Sequence, residues 1–171
     1  NDCKYGYDIK DNVMRITLLK GGLYPDPDAD LGEHQFTYSL YLHQGGFRKA
    51  KTIEEATNLN EPLRARVITS KIDNQLQNNS SLLDIEGDNL ILSAFKKAEN
   101  SQDYILRVFD SFGQRTINKI SIFKEVDEVK EVNLMEEDLN SENQMKIRNS
   151  NSFVFETKAY EIKTFRISFK N

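Results

Sequence analysis

An all-β fold, an antiparallel β-sandwich, is what this sequence predicts, and three observations predict it. Apolar residues recur at every second position through most of the chain, the spacing of half-buried strands. Turn-forming residues break these runs every ten positions or so, as in sandwiches. Only one short stretch has helical spacing. The 171 residues suffice for a real core, since a chain of this size buries roughly 68–70% of its unfolded surface.

The elements follow in order. The turn Lys10-Asp11-Asn12 joins a first strand to a second, in which Met14, Ile16 and Leu18 face one way with Arg15 and Thr17 between them. Phe36, Tyr38, Leu40 and Leu42 alternate with Thr37, Ser39 and Tyr41, so 36–42 reads as a strand. Arg48 to Thr57 is the one helix candidate, with Ile53 and Ala56 toward a core. Further strands are expected at 63–70, 82–86, 90–98, 104–109, 116–124, 129–136, 144–149, 152–158 and 165–169. The strand at 104–109 is apolar on both faces and therefore central. Glu86-Gly87-Asp88-Asn89 and Asp110-Ser111-Phe112-Gly113 read as hairpin turns, with Gly113 available for positive φ. Asn74 to Ser81 is polar and aperiodic, a surface loop. Its two Asn-x-Ser triplets, beginning at Asn78 and Asn79, matter only in a secreted protein. The acidic stretch 125–142 reads as a solvated edge and loop that discourages aggregation.

A boundary is expected near Asn60–Pro62. Residues 1–60 read as strands continuing a preceding β-domain, and 61–171 as a C-terminal antiparallel sandwich. The chain opens on Asn1-Asp2-Cys3 with no initiator Met, which reads as a chain cut from a longer one.

Composition excludes several functions. A net charge of −4 exerts no pull on nucleic acid or an anionic membrane, so neither partner is expected. No apolar run is long enough to span a bilayer, and no signal peptide is evident; both lean toward the cytoplasm. The single cysteine, Cys3, rules out an intramolecular disulfide or multi-cysteine zinc site and reads as a small core residue.

One segment is dense in chemistry-bearing groups: Pro25-Asp26-Pro27-Asp28-Ala29-Asp30-Leu31-Gly32-Glu33-His34. Asp26, Asp28 and Asp30 match the opening of a calcium loop, but the match fails at Gly32, one place late, and at Thr37, where a bidentate carboxylate is required. A pair of carboxylates for glycoside hydrolysis is a second reading, which spacing along the chain does not decide. A stiff polar loop is the third, with Asp-Pro steps favouring extended and turn conformations. Loops on rigid β-scaffolds concentrate binding groups, which keeps Asp30, Glu33 and His34 as candidates. In strand geometry Asp30 and His34 share a face, with Gly32 between them. His34 and His43 point to opposite faces of an unbroken strand, against a shared metal site. The sequence holds no Gly-rich phosphate loop, G-x-S-x-G or H-E-x-x-H, so no catalytic and no metal-ligating residue is assigned. Tyr24 and Tyr41 are the aromatic residues expected to be exposed.

Several blocks resemble one family. Asn1-Asp2-Cys3-Lys4-Tyr5-Gly6, the strand Met14 to Lys20, and Asp30-x-Gly32-x-His34-x-Phe36-x-Tyr38 are similar to the C-terminal region of family 38 glycoside hydrolases, in their cytosolic and bacterial α-mannosidase branch. Ala94 to Glu99, Leu106 to Asp110 and Tyr160 to Phe165 agree. Lys20-Gly21-Gly22 departs from an Arg-Ser-Pro-like turn, and Asp110 stands for a more usual Glu.

The resemblance implies a supersandwich, galactose-mutarotase-like region followed by terminal sandwich strands. It implies a parent that is a retaining α-mannosidase with one zinc ion, acting on terminal α-linked mannose. The nucleophile and zinc ligands would belong to an N-terminal α/β domain outside this chain. Asp30, Glu33 and His34 would then sit at a substrate rim or brace a neighbouring domain, and this chain would pack against the parent's N-terminal domains and need no cofactor of its own. An autonomous carbohydrate-binding or scaffold module is the alternative.

Overall fold

The structure, a computed structural model, describes residues 6–67, 79–139 and 145–170. It divides into two compact units, Asn1–Ser70 and Lys71–Asn171.

In the first unit, β1 (Tyr7–Lys10) and β2 (Val13–Ile16) form a hairpin. Asp11 and Asn12 both take left-handed backbone, φ 52 and 62, as the tightest hairpin turns require and as Asp and Asn tolerate. The register pairs Tyr7 with Ile16 and Ile9 with Met14, which places these four apolar side chains on one face. Helix α1 (Thr52–Asn60) starts a turn later than its spacing suggests, because residues 46–51 form turns, with Lys51 left-handed. Thr57 Oγ1 donates back to the Ile53 carbonyl within it. No described residue of this unit is buried.

Residues 36–42 are not a strand, contrary to their alternation. A strand exists only with a ladder partner, and no other described segment pairs with this one. Residues 63–67 likewise form no strand, and 68–70 lie outside the described residues. So do Asn1 to Tyr5, including Cys3, and residues 71–78.

The second unit holds two four-stranded antiparallel sheets. One has the order β4 (Leu90–Lys97), β5 (Tyr104–Asp110), β10 (Ile162–Phe169), β7 (Val126–Val132). The other has the order β3 (Leu83–Glu86), β6 (Thr116–Ile122), β9 (Ser152–Thr157), β8 (Ile147–Arg148). The expected antiparallel β-sandwich is thus present. β5 is interior and fully buried at Ile105, Leu106 and Val108, as its two-faced apolarity predicts. β7 runs three residues earlier than expected, because Asn133 turns the chain: its Oδ1 accepts from the amides of Met135 and Glu137.

The core lies between the sheets. Leu90, Leu106, Val108, Val126, Val129, Phe165 and Ile167 from the first meet Ile120, Ile122, Phe153 and Phe155 from the second. Phe165 packs edge-on against Phe153 (5.0 Å) and Phe155 (4.7 Å), a geometry that adds quadrupole attraction to burial. A smaller cluster, Ala98, Ile105 and Val132, sits on the outer face of the β4–β7 sheet. Residues 133–139 form a strap tied to that face: Arg107 donates to the Leu134 carbonyl and Arg166 to that of Glu136. Glu136 also pairs with Lys96 and accepts from the Glu99 amide, contacts that hold its carboxyl below the usual range.

A buried polar network closes one end of the sandwich. Asp110, 2% exposed, accepts hydrogen bonds from Asn89 Nδ2 (2.7 Å) and from the amides of Phe112, Gln114 and Tyr160. Asn89 also donates to Thr116 Oγ1, and Asn118 Nδ2 to Thr157 Oγ1. The two sheets are therefore stitched by side chains as well as by apolar packing. Gly87 is required here: its φ is 152, and a Cβ would lie 2.5 Å from Asn118 Oδ1. Burial alone raises the Asp110 pKa, but the four donors outweigh it and bring it to about 2, from an ordinary 3.8.

Because the folded pKa lies below the unfolded one, the Asp110 carboxylate contributes stability that is complete above pH 3.8 and lost as pH falls to about 2. The difference in urea midpoint between the wild type and Asp110→Asn is expected to shrink across that window and stay constant above it. At neutral pH, Asp110→Ala takes the acceptor from the buried Asn89 amide and from three part-buried backbone amides and is expected to cost on the order of 3 kcal/mol, read from the same urea curves.

Candidate functional site

The candidate loop runs from Tyr24 to Phe36 in the first unit. It opens with a cis Tyr24-Pro25 peptide. Two successive turns follow: Ala29 N donates to the Asp26 carbonyl and Leu31 N to the Asp28 carbonyl, each at 3.2 Å. Asp26 Oδ1 accepts from the Asp28 amide (3.0 Å), the Asx turn that makes Asp a turn residue. Asp30 sits in left-handed backbone, φ 62, and Gly32 has φ 139, a value that L side chains rarely adopt.

His34 Nε2 meets the Asp30 backbone carbonyl at 2.9 Å, and its ring stacks on Phe36, centroids 5.9 Å apart at 14°. Asp30 and His34 are thus brought together, but through a turn, not through strand geometry. The partner of the imidazole is the backbone carbonyl of Asp30, not its carboxylate. Asp26, Asp28, Asp30, Glu33 and His34 are all exposed.

The loop holds one imidazole on a backbone carbonyl and leaves its carboxylates in solvent, without a dry pocket. Among the described residues, no three His, Cys, Asp or Glu side chains gather into a group able to hold a metal ion. Tyr24 is 91% exposed and Tyr41 45%. Tyr41 donates to the Ala50 carbonyl (3.1 Å) and packs on His43, centroids 5.2 Å apart.

In the second unit, an open cleft of about 330 Å³ is lined by Asp127, Glu128, Val129, Met145 and Ile147. The titratable group that sequence reasoning placed merely in a turn is Asp110. Its signal was the Asn89–Asp110 pairing of polar residues at the ends of two apolar strands, which have to bond each other to be buried.

The fold of the second unit defines a class, the antiparallel β-sandwich domain. Residues 89–165 match the model of the glycosyl hydrolases family 38 C-terminal beta sandwich domain. The chain belongs to the C-terminal region of family 38 glycoside hydrolases, and the matched residues run from the start of β4 into β10. It is similar to "Alpha-mannosidase G" of Dictyostelium discoideum, 32% identical over 116 residues, 68% of this chain and 11% of that protein. It is also similar to "Alpha-mannosidase 2C1" of Homo sapiens, 34% identical over 116 residues, 66% of this chain and 11% of that protein. An "Alpha-mannosidase" of Saccharomyces cerevisiae is 26% identical over 188 residues, 99% of this chain and 17% of that protein. The chain thus spans about a tenth to a sixth of the length of these relatives. No helix among the described residues is long and apolar enough to cross a membrane.

The loop bonds are exposed, so His34→Ala is expected to change the stability of this chain by less than about 1 kcal/mol. A thermal-unfolding midpoint that falls by more than several degrees would assign His34 a load in the fold.

Proposed function

We propose that this chain is the C-terminal accessory β-region of a retaining, zinc-dependent α-mannosidase that removes terminal α-linked mannose in the cytoplasm. The observation that carries the reading is the match of residues 89–165 to the family 38 sandwich, together with the α-mannosidase relatives. Zinc, in this reading, is held elsewhere in the parent: the described residues offer no cluster fit for it. Its chemistry there would be to orient and polarise the sugar as a Lewis acid.

What this chain contributes is position. The sandwich supplies a rigid body, and residues 1–60 continue a preceding β-domain of the parent. Asp30, Glu33 and His34 project from the turn at its surface. Hydrated carboxylates and an imidazole suit the hydroxyls of a neutral sugar, which they bind through hydrogen bonds without net charge. The same groups can brace a neighbouring domain. Isolated from a nucleophile, they hydrolyse nothing.

The pure 171-residue chain is therefore expected to show no turnover of an aryl α-mannoside, with or without added zinc, measured by release of the aryl group. Zinc-dependent turnover by the chain alone would overturn the reading. In the parent enzyme, His34→Ala is expected to raise KM for mannosides more than it lowers kcat, since a rim contact acts on binding.

A further inference from the structure

We propose that the end of the sandwich opposite Asp110 is a docking ledge for an extended acidic peptide, one that carries an aromatic residue between two carboxylates. The inference concerns the second unit alone and stands apart from the activity proposed above. It starts from three rings. Phe95 of β4, Tyr104 of β5 and Phe169 of β10 lie on successive strands of one sheet. Phe95 stacks on Tyr104 with centroids 5.7 Å apart, and Tyr104 meets Phe169 edge-on at 5.2 Å. Phe95 and Phe169 pack against the core. Tyr104 has the same parity along β5 as Leu106 and Val108, which are fully buried, yet it is 38% exposed. The inner face of this sheet therefore runs past the cover of the opposite sheet, and its last apolar step lies open.

The rim of that step is basic. Lys97, the cross-strand partner of Tyr104, is exposed, and the Lys124 ammonium lies 5.4 Å from the centre of the Phe169 ring. Neither has a carboxylate partner among the described residues, whereas Lys96, Lys119, Lys130, Lys163 and Lys170 of the same unit each have one. The acids beside the ledge are already engaged: Asp103 accepts from the Ser101 hydroxyl, Glu99 pairs with Lys96, and Glu125 pairs with Lys170. A chain of net charge −4 thus keeps two cations without counter-ions around its half-open ring cluster.

Spacing selects the ligand. Two strand intervals, about 10 Å, separate β4 from β10, so the lysines stand on opposite sides of the rings and not together around one small anion. In an extended peptide, residues four apart share a face and lie about 13 Å from one another. Carboxylates at those two places come within reach of the flexible lysines, and the residue midway between them, on the same face, lies over Tyr104. An aromatic side chain there gains offset or edge-on contact with the rings. A free sugar needs a concave site with converging polar groups, and this surface is an open ledge.

The test is an amide proton–nitrogen titration of the 171-residue chain with a capped seven-residue peptide of glycines that has Glu at its second and sixth places and Phe at its fourth. Saturable shifts are expected around Phe95, Lys97, Tyr104, Lys124 and Phe169, half-complete below about 1 mM. Replacing both Glu of the peptide by Gln is expected to weaken binding at least about 5-fold, and so is the double variant Lys97→Gln, Lys124→Gln. Tyr104→Leu, which keeps an apolar side chain but removes the ring, is expected to weaken it as well. Unchanged dispersion at residues 105–110 shows that each variant keeps its sandwich. No shift at the ledge up to about 5 mM peptide overturns the proposal, and so does equal binding by the Gln peptide or by the double lysine variant. Mannose or mannose 6-phosphate that produces the same shifts at lower concentration makes the ledge a sugar site and overturns it too.

Discussion

Phe165 is the residue on which the ordered half of the molecule depends. From β10 it meets Phe153 and Phe155 of β9 edge-on, and so joins one sheet to the other at the centre of the core. Both sheets have to hold their registers for that contact to form. β10 pairs Phe165 with Leu106 of β5 and with Glu131 of β7, and β9 pairs Phe153 with Ile120 of β6. A slip of one residue in β10 would point Thr164 or Arg166 into the core and turn Phe165 to the outside. The alternation of Phe165, Ile167 and Phe169 with Arg166 and Ser168 forbids it.

Around that centre, two polar devices close what apolar packing leaves open. At one end, Asp110 collects the turns before β4, after β5 and before β10, accepting from the buried Asn89 side chain and from three part-buried backbone amides. On the outer face, the strap from Asn133 to Asp138 shelters Ile105, which points away from the main core and is nonetheless fully buried. Arg107 and Arg166 bind the strap through its carbonyls, and Lys96 through the Glu136 side chain. These are charge-assisted bonds to a fixed partner, stronger than the scattered surface pairs such as Lys51–Glu54.

The strands of the sandwich were legible because each has its partner within the chain. Apolar runs at 104–110 and 152–157, alternation at 165–169, and Gly113 with positive φ in the turn between β5 and β6 leave little choice of fold. The segment 36–42 has an equally clear alternation, yet it is not a strand: period two reports a preference for extended backbone, and pairing is a property of the neighbour. The loop at Asp26 to His34 was legible as a stiff turn from its Asp26-Pro27 step. The role of Asp30 was not, because a strand spacing gave it a side-chain partnership, whereas its left-handed backbone presents the carbonyl to His34. The strap and its arginines were invisible for a related reason. Arg107 and Arg166 have the look of solvated outer-face residues until a loop distant in sequence folds over them.

The two units differ in burial. The sandwich buries its own aromatic core, and the first unit buries no described side chain. The most direct measurement is an amide proton–nitrogen spectrum of the 171-residue chain. The account predicts widely dispersed resonances for residues 79–139 and 145–170, with contacts from the Phe165 ring to those of Phe153 and Phe155. Poorly dispersed resonances for 152–157 and 162–169, or the absence of ring contacts between Phe165 and Phe153 or Phe155, would contradict it.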